Sequence, residues 1–145
     1  MSVEHKFNEV HKFKMNVDFT TIEWGTDSSY QSASKMLINT SEQWCQVWQV
    51  HTYNTEPPPP IPQVDFTCYK VVAVFAGEKP TSGYSIEIIR VETNDSQTKE
   101  KPSLTFTLQY CQPKAGDFVT EALTYPYHMI KVPKLDSGKI AFRQI

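Results

Sequence analysis

The 145-residue chain is poor in several features, and each shortage removes a class of protein. Five glycines exclude a collagen-like repeat, and three cysteines are too few for a disulfide framework. No apolar run approaches the ~18 residues of a membrane-spanning helix, so no span is expected. Cations are not in excess: 14 Lys+Arg stand against 16 Asp+Glu, for a net charge of −2. Nucleic-acid binding draws its affinity from clustered basic residues, so that partner class is set aside. There is no G-x-S-x-G elbow, P-loop, G-x-G-x-x-G or H-E-x-x-H. No two cysteines have C-x-x-C spacing, which argues against structural zinc, and nothing calls for a cofactor.

What is present suits a packed core. The chain is 39% hydrophobic and 12% aromatic, too apolar for a disordered segment. Its length fits one domain over residues 1–145. The opening Met1-Ser2-Val3-Glu4-His5-Lys6 has no apolar h-region, so no signal peptide is read there. Cys45, Cys68 and Cys111 read as partly buried free thiols, with a Cys68–Cys111 bridge between neighbouring strands as the alternative.

Residues Lys12 to Trp24 alternate, with Phe13, Met15, Val17 and Phe19 on one side, and predict one half-buried strand. Met36-Leu37-Ile38 predicts a second. Thr40-Ser41-Glu42-Gln43 fits a capping box. Trp44, Val47, Trp48 and His51 then fall at i, i+3, i+4 and i+7, one apolar stripe on a helix of about three turns. His51 is expected at the helix C-terminus, where its charged form suits the dipole. The helix must stop before Pro57-Pro58-Pro59-Pro60-Ile61-Pro62, which reads as a stiff crossover rather than a ligand for another protein's groove.

From Phe66 onward the chain reads as strands: Tyr69 to Ala76, Tyr84 to Glu92, Ser103 to Tyr110, His128 to Val132 and Lys139 to Phe142. Thr93 to Pro102 reads as an exposed hairpin connection and Pro133 to Gly138 as a turn. The expected fold class is mostly β (α+β): an antiparallel β-sandwich or partly open barrel with one packed α-helix.

Two segments depart from ordinary scaffold. Gly77 to Tyr84 joins two apolar strands through Lys79, Pro80, Thr81, Ser82 and Gly83, and Gly83 is placed to take positive φ. Ala122 to His128 holds Tyr125, Pro126 and Tyr127 in a proline-fixed bend ending at His128. Tyrosines on rigid loops bury contact area at low entropic cost. The segments are therefore either a partner surface or turns whose aromatics plug the end of a sandwich. A stable contact buries about 800 Å² per partner, so two short loops alone imply a transient contact or further surface. A thiol beside His51 or His128 in a deep pocket would instead indicate a small thiol-dependent enzyme.

Val64-Asp65-Phe66, Val71 to Phe75, Gly77 to Ile86 with its Gly83-Tyr84 pair, Thr124-Tyr125-Pro126-Tyr127-His128 and Lys131-Val132-Pro133 together resemble the PrcB C-terminal domain over about residues 64–134. The resemblance implies an accessory, non-catalytic, protein-binding role, since the family's namesake stabilises a bacterial surface protease complex. It also implies secretion or surface display, whereas the sequence start leaves a cytoplasmic location open. More loosely, Lys79-Pro80-Thr81-Ser82-Gly83-Tyr84 resembles the N-P-T-T-G-Y loop of chagasin-type protease inhibitors, with Lys79 and Ser82 differing. Those inhibitors' glycine-rich loop has no counterpart, and Tyr125-Pro126-Tyr127 only echoes their third loop. The expected function is a protein-binding accessory module, with a protease among the candidate partners. The alternatives are a chagasin-like inhibitor and a thiol enzyme.

Overall fold

The computed structural model describes residues 13–95, 102–135 and 138–145. In chain order these form β1 (Phe13–Asn16), β2 (Thr20–Gly25), β3 (Ser34–Ile38), α1 (Ser41–His51), β4 (Tyr69–Phe75), β5 (Ser85–Asp95), β6 (Ser103–Cys111), β7 (Tyr127–Pro133) and β8 (Lys139–Gln144). Two four-stranded sheets result, ordered β1-β5-β6-β8 and β2-β7-β4-β3. Their facing sides share a core of Val72, Val74, Ile130 and Val132 against Ile86, Ile88, Val91, Leu104, Phe106 and Leu108. The opposite face of the second sheet packs Val71, Ala73, Phe75 and Met129 on Trp44 and Trp48 of α1. The fold is thus a sandwich with a helix as third layer, and among the described residues no sheet closes into a barrel.

This layering explains the composition of β4. It is buried on both faces, so Val71 to Phe75 are apolar without alternation. The helix forms as its sequence dictates. The Thr40 hydroxyl accepts from Gln43 N–H at 3.1 Å, and Gln43 Oε1 accepts from Asn39 N–H at 2.8 Å. The proline run is the stiff crossover, and it also satisfies the helix. The indole N–H groups of Trp44 and Trp48 donate to the carbonyls of Pro62 and Pro59, at 2.9 and 3.0 Å. Both tryptophans are therefore buried with no unpaired donor.

The structure departs from the expectations at several places. The alternating stretch to Trp24 is two strands, because Val17 to Phe19 cross from one sheet to the other. Val17 and Phe19 still pack on the inter-sheet core, so the alternation continues while the pairing changes. Met15 lies on the edge strand β1 and is 63% exposed. Strand β5 extends to Asp95, and the rest of the expected hairpin connection, 96–101, lies outside the described residues. After β7 the chain changes sheets, and β8 pairs in parallel with β6. Finally, Cys45, Cys68 and Cys111 are free, as expected, but exposed rather than partly buried, and the alternative Cys68–Cys111 bridge does not form.

Candidate contact surface

Three connections meet at one end of the sandwich: 26–33 after β2, 76–84 after β4 and 112–126 after β6. Lys79 and Thr124 exchange both backbone hydrogen bonds, at 2.8 and 3.0 Å. Thr120 O accepts from Ser82 N–H at 3.0 Å, and Ser82 Oγ accepts from Thr120 N–H at 2.7 Å. The Thr124 hydroxyl donates to Thr81 O at 2.8 Å. Tyr125 joins the first connection, donating its N–H to Thr26 O at 2.7 Å and accepting from Ser28 N–H at 3.2 Å. Gly83 takes φ +94° as expected. A Cβ there would stand 3.0 Å from the Pro113 ring, so glycine also permits the close approach of the third connection.

The two tyrosine-bearing bends therefore lie side by side, but they do not contribute equally. Lys79, Thr81, Ser82, Tyr84 and Tyr125 are part-exposed, and Pro80 and Gly83 exposed. The Lys79 ammonium sits 5.7 Å from the centre of the Tyr84 ring. The Tyr125 phenol donates to Glu78 Oε1 at 2.9 Å, and this bond raises its pKa above the ordinary value. Pro126, Tyr127 and His128 are corrected out of the surface. Pro126 is buried, and Tyr127 and His128 are 3% and 2% exposed, because β7 is a central strand covered on both faces.

The buried pair has structural work. Nδ1 of His128 accepts from Ile88 N–H of the opposite sheet at 2.9 Å, and Nε2 lies 2.9 Å from the Thr21 hydroxyl. Accepting at Nδ1 makes the ring neutral and leaves Nε2–H as a donor. Burial lowers its pKa to about 4, in agreement with that role. Tyr127 points to the helix side, where its phenol donates to Glu23 Oε1 at 2.7 Å. Burial, then the Glu23 carboxylate, pushes this phenol well above its usual pKa.

Sequence reasoning missed three exposed side chains at or beside this end. Phe118 is fully exposed, Leu123 is 56% exposed and Trp24 is 53% exposed. Phe118 and Leu123 lie in the stretch pinned to the Lys79–Tyr84 loop. Trp24 stands one residue before Gly25, which pairs with Tyr127, and its indole donates to Ile86 O at 3.0 Å. The available signal was the large apolar residues Phe118, Val119 and Leu123 inside the loop run Pro113 to Thr124. Next to Tyr84 an open groove of about 340 Å³ is lined by Lys79, Ser85, Tyr110, Cys111, Gln112 and Gln144.

His51 does not act as a helix cap exposed to water. It is buried, with Nδ1 2.8 Å from Ser28 Oγ and Nε2 2.6 Å from Glu23 Oε1. Ser28, His51 and Glu23 are thus connected in the order of a nucleophilic triad. Ser28 is only 3% exposed, however, and its oxygen also accepts from Tyr30 N–H at 3.1 Å. That hydroxyl therefore lies inside the molecule rather than at its surface. Neither His51 nor His128 meets a thiol, since the ring nitrogens of both have other partners. Among the described residues no cluster of ligands fits a metal ion, and no helix is long and apolar enough to cross a membrane.

Residues 70–133 match the family model described as PrcB C-terminal. The match runs from β4 through β7 and contains both bends, so the family resemblance read from the sequence is borne out over these residues. Comparison with curated proteins gives no match, and comparison with solved structures gives none.

Proposed function

We propose that this chain is a non-catalytic protein-binding module of accessory type, and that it contributes to a protease complex through the end of its sandwich. The observation that carries the reading is the set of outward side chains held on mutually bonded loops. Phe118, Leu123, Tyr125 and Tyr84 stand on connections fixed to one another by backbone hydrogen bonds. Loops fixed in this way lose little backbone entropy on docking, which lowers the cost of presenting anchor residues to a partner. The PrcB C-terminal match over 70–133 supports the accessory role.

A second reading, the protease inhibitor, is favoured by one observation: the Lys79–Tyr84 loop lies against the Thr124–Tyr125 segment, so both could enter one protease cleft together. The two readings separate by experiment. Purified chain is assayed against papain-like and subtilisin-like proteases and is used to capture partners from native extract. Phe118→Ser and Leu123→Ser should abolish capture while leaving the melting temperature unchanged. Equal capture by wild type and variants would contradict the proposed surface. Inhibition at micromolar concentration, lost in the same variants, would select the inhibitor reading.

A further inference from the structure

Beneath the contact end lies a chain of hydrogen bonds that neither the family match nor the accessory role accounts for. Its direction follows from donor counting. Tyr30 N–H donates to Ser28 Oγ, so the Ser28 hydroxyl proton is free to go to His51 Nδ1. Nδ1 then accepts, and Nε2–H donates to the Glu23 carboxylate. The Tyr127 phenol donates to the same Glu23 oxygen. With the His51 ring neutral, every donor along this chain has an acceptor.

The chain joins separate elements. His51 closes α1, Ser28 lies in the 26–33 connection, Glu23 is on β2 and Tyr127 begins β7. His51 holds the connection twice, since its backbone carbonyl also accepts from Ser29 N–H at 2.9 Å. The Tyr125 segment is built on that same connection, through Thr26 O and Ser28 N–H. The His51 ring itself is packed by Tyr127, Trp48 and Phe75, with centroids at 4.4, 5.2 and 6.2 Å. The ring is therefore held by these aromatics and by Glu23 at Nε2, and its link to the 26–33 connection is Ser28.

We infer that His51 is the positioning residue of the contact end: from inside the molecule it fixes the 26–28 stretch against which Tyr125 is held. This sets the shape of the end and stands whether or not a protein docks there. The test is residue-resolved amide hydrogen exchange by NMR on the full chain. In His51→Ala, exchange at the Ser28 and Tyr125 amides should accelerate about tenfold more than at Val72 and Ile130, the loss expected for one buried hydrogen bond. In His51→Asn, the amide oxygen stands where Nδ1 stood and can accept from Ser28. Exchange at the two end amides should return to within about threefold of wild type, although the Glu23 bond is gone. A merely structural residue would speed all four amides by one common factor, and Asn would not differ from Ala. Either result overturns the inference. Should His51→Ala fail to fold, Ser28→Ala cuts the same link without touching the helix. Unchanged Tyr125 exchange in that variant would equally overturn the inference.

Discussion

Thr107 is wholly buried, and its hydroxyl has no hydrogen-bond partner among the described residues. An unpaired buried polar group costs about 1–3 kcal/mol, whereas an isosteric apolar group carries no such cost. Thr107→Val should therefore raise stability by about 1 kcal/mol in urea unfolding; a loss would mean that the hydroxyl has an unrecognised partner. His128 makes the opposite kind of contribution, since both its ring nitrogens are satisfied in the neutral form. Its folded pKa of about 4 lies below its ordinary value of 6.5. Between those values the unfolded chain binds more protons, so stability rises with pH. The contribution is complete above about pH 6.5 and is lost as pH falls toward 4, about 3 kcal/mol in all. Unfolding curves at pH 7, 5.5 and 4.5 should show this loss in wild type, and less of it in His128→Asn; parallel curves would contradict the assignment. Gly83→Ala should cost about 1–3 kcal/mol, because φ +94° and the Pro113 ring both oppose a Cβ. The glycine was legible in the sequence as a turn residue. The roles of His51 and His128 were not, because their partners Ser28, Glu23, Ile88 and Thr21 lie far away along the chain.

Among the elements, α1 was the most legible, since its cap, stripe and stop signal are local. Thr40→Ala should cost about 1 kcal/mol and Trp48→Ala about 3–5 kcal/mol by thermal unfolding. The difference between them measures how much of the helix is held by packing on the second sheet rather than by its own ends. Strands β4 and β6 were legible for a similar reason, being a continuous apolar run and a clean alternation. The division between β1 and β2 was not. Period-2 alternation does not report sheet membership: Val17 and Phe19 of the crossover pack on the inter-sheet core, Ile22 of β2 packs on the helix side, and Met15 of β1 is exposed. The parallel pairing of β8 with β6 was likewise hidden, because pairing direction leaves no mark on a six-residue strand.

Among the described residues, eight strands and one helix assemble so that three connections collect at one end. The sequence located two of the segments and their tyrosines. It did not reveal which tyrosine faces outward, because burial of Tyr127 depends on β7 being central in its sheet and covered by α1. It also gave no weight to Phe118 and Leu123, which become prominent only once Thr120 and Thr124 are seen bonded to Ser82 and Lys79. The measurement that bears most directly on the proposed surface is parallel capture from native extract with three baits, compared by quantitative mass spectrometry. The baits are wild type, Phe118→Ser/Leu123→Ser, and Met15→Ser as a control on the exposed edge strand β1. The account predicts at least one protein held by wild type and by Met15→Ser and reduced tenfold or more by the double variant. The same captured proteins at the same levels on all three baits would contradict it.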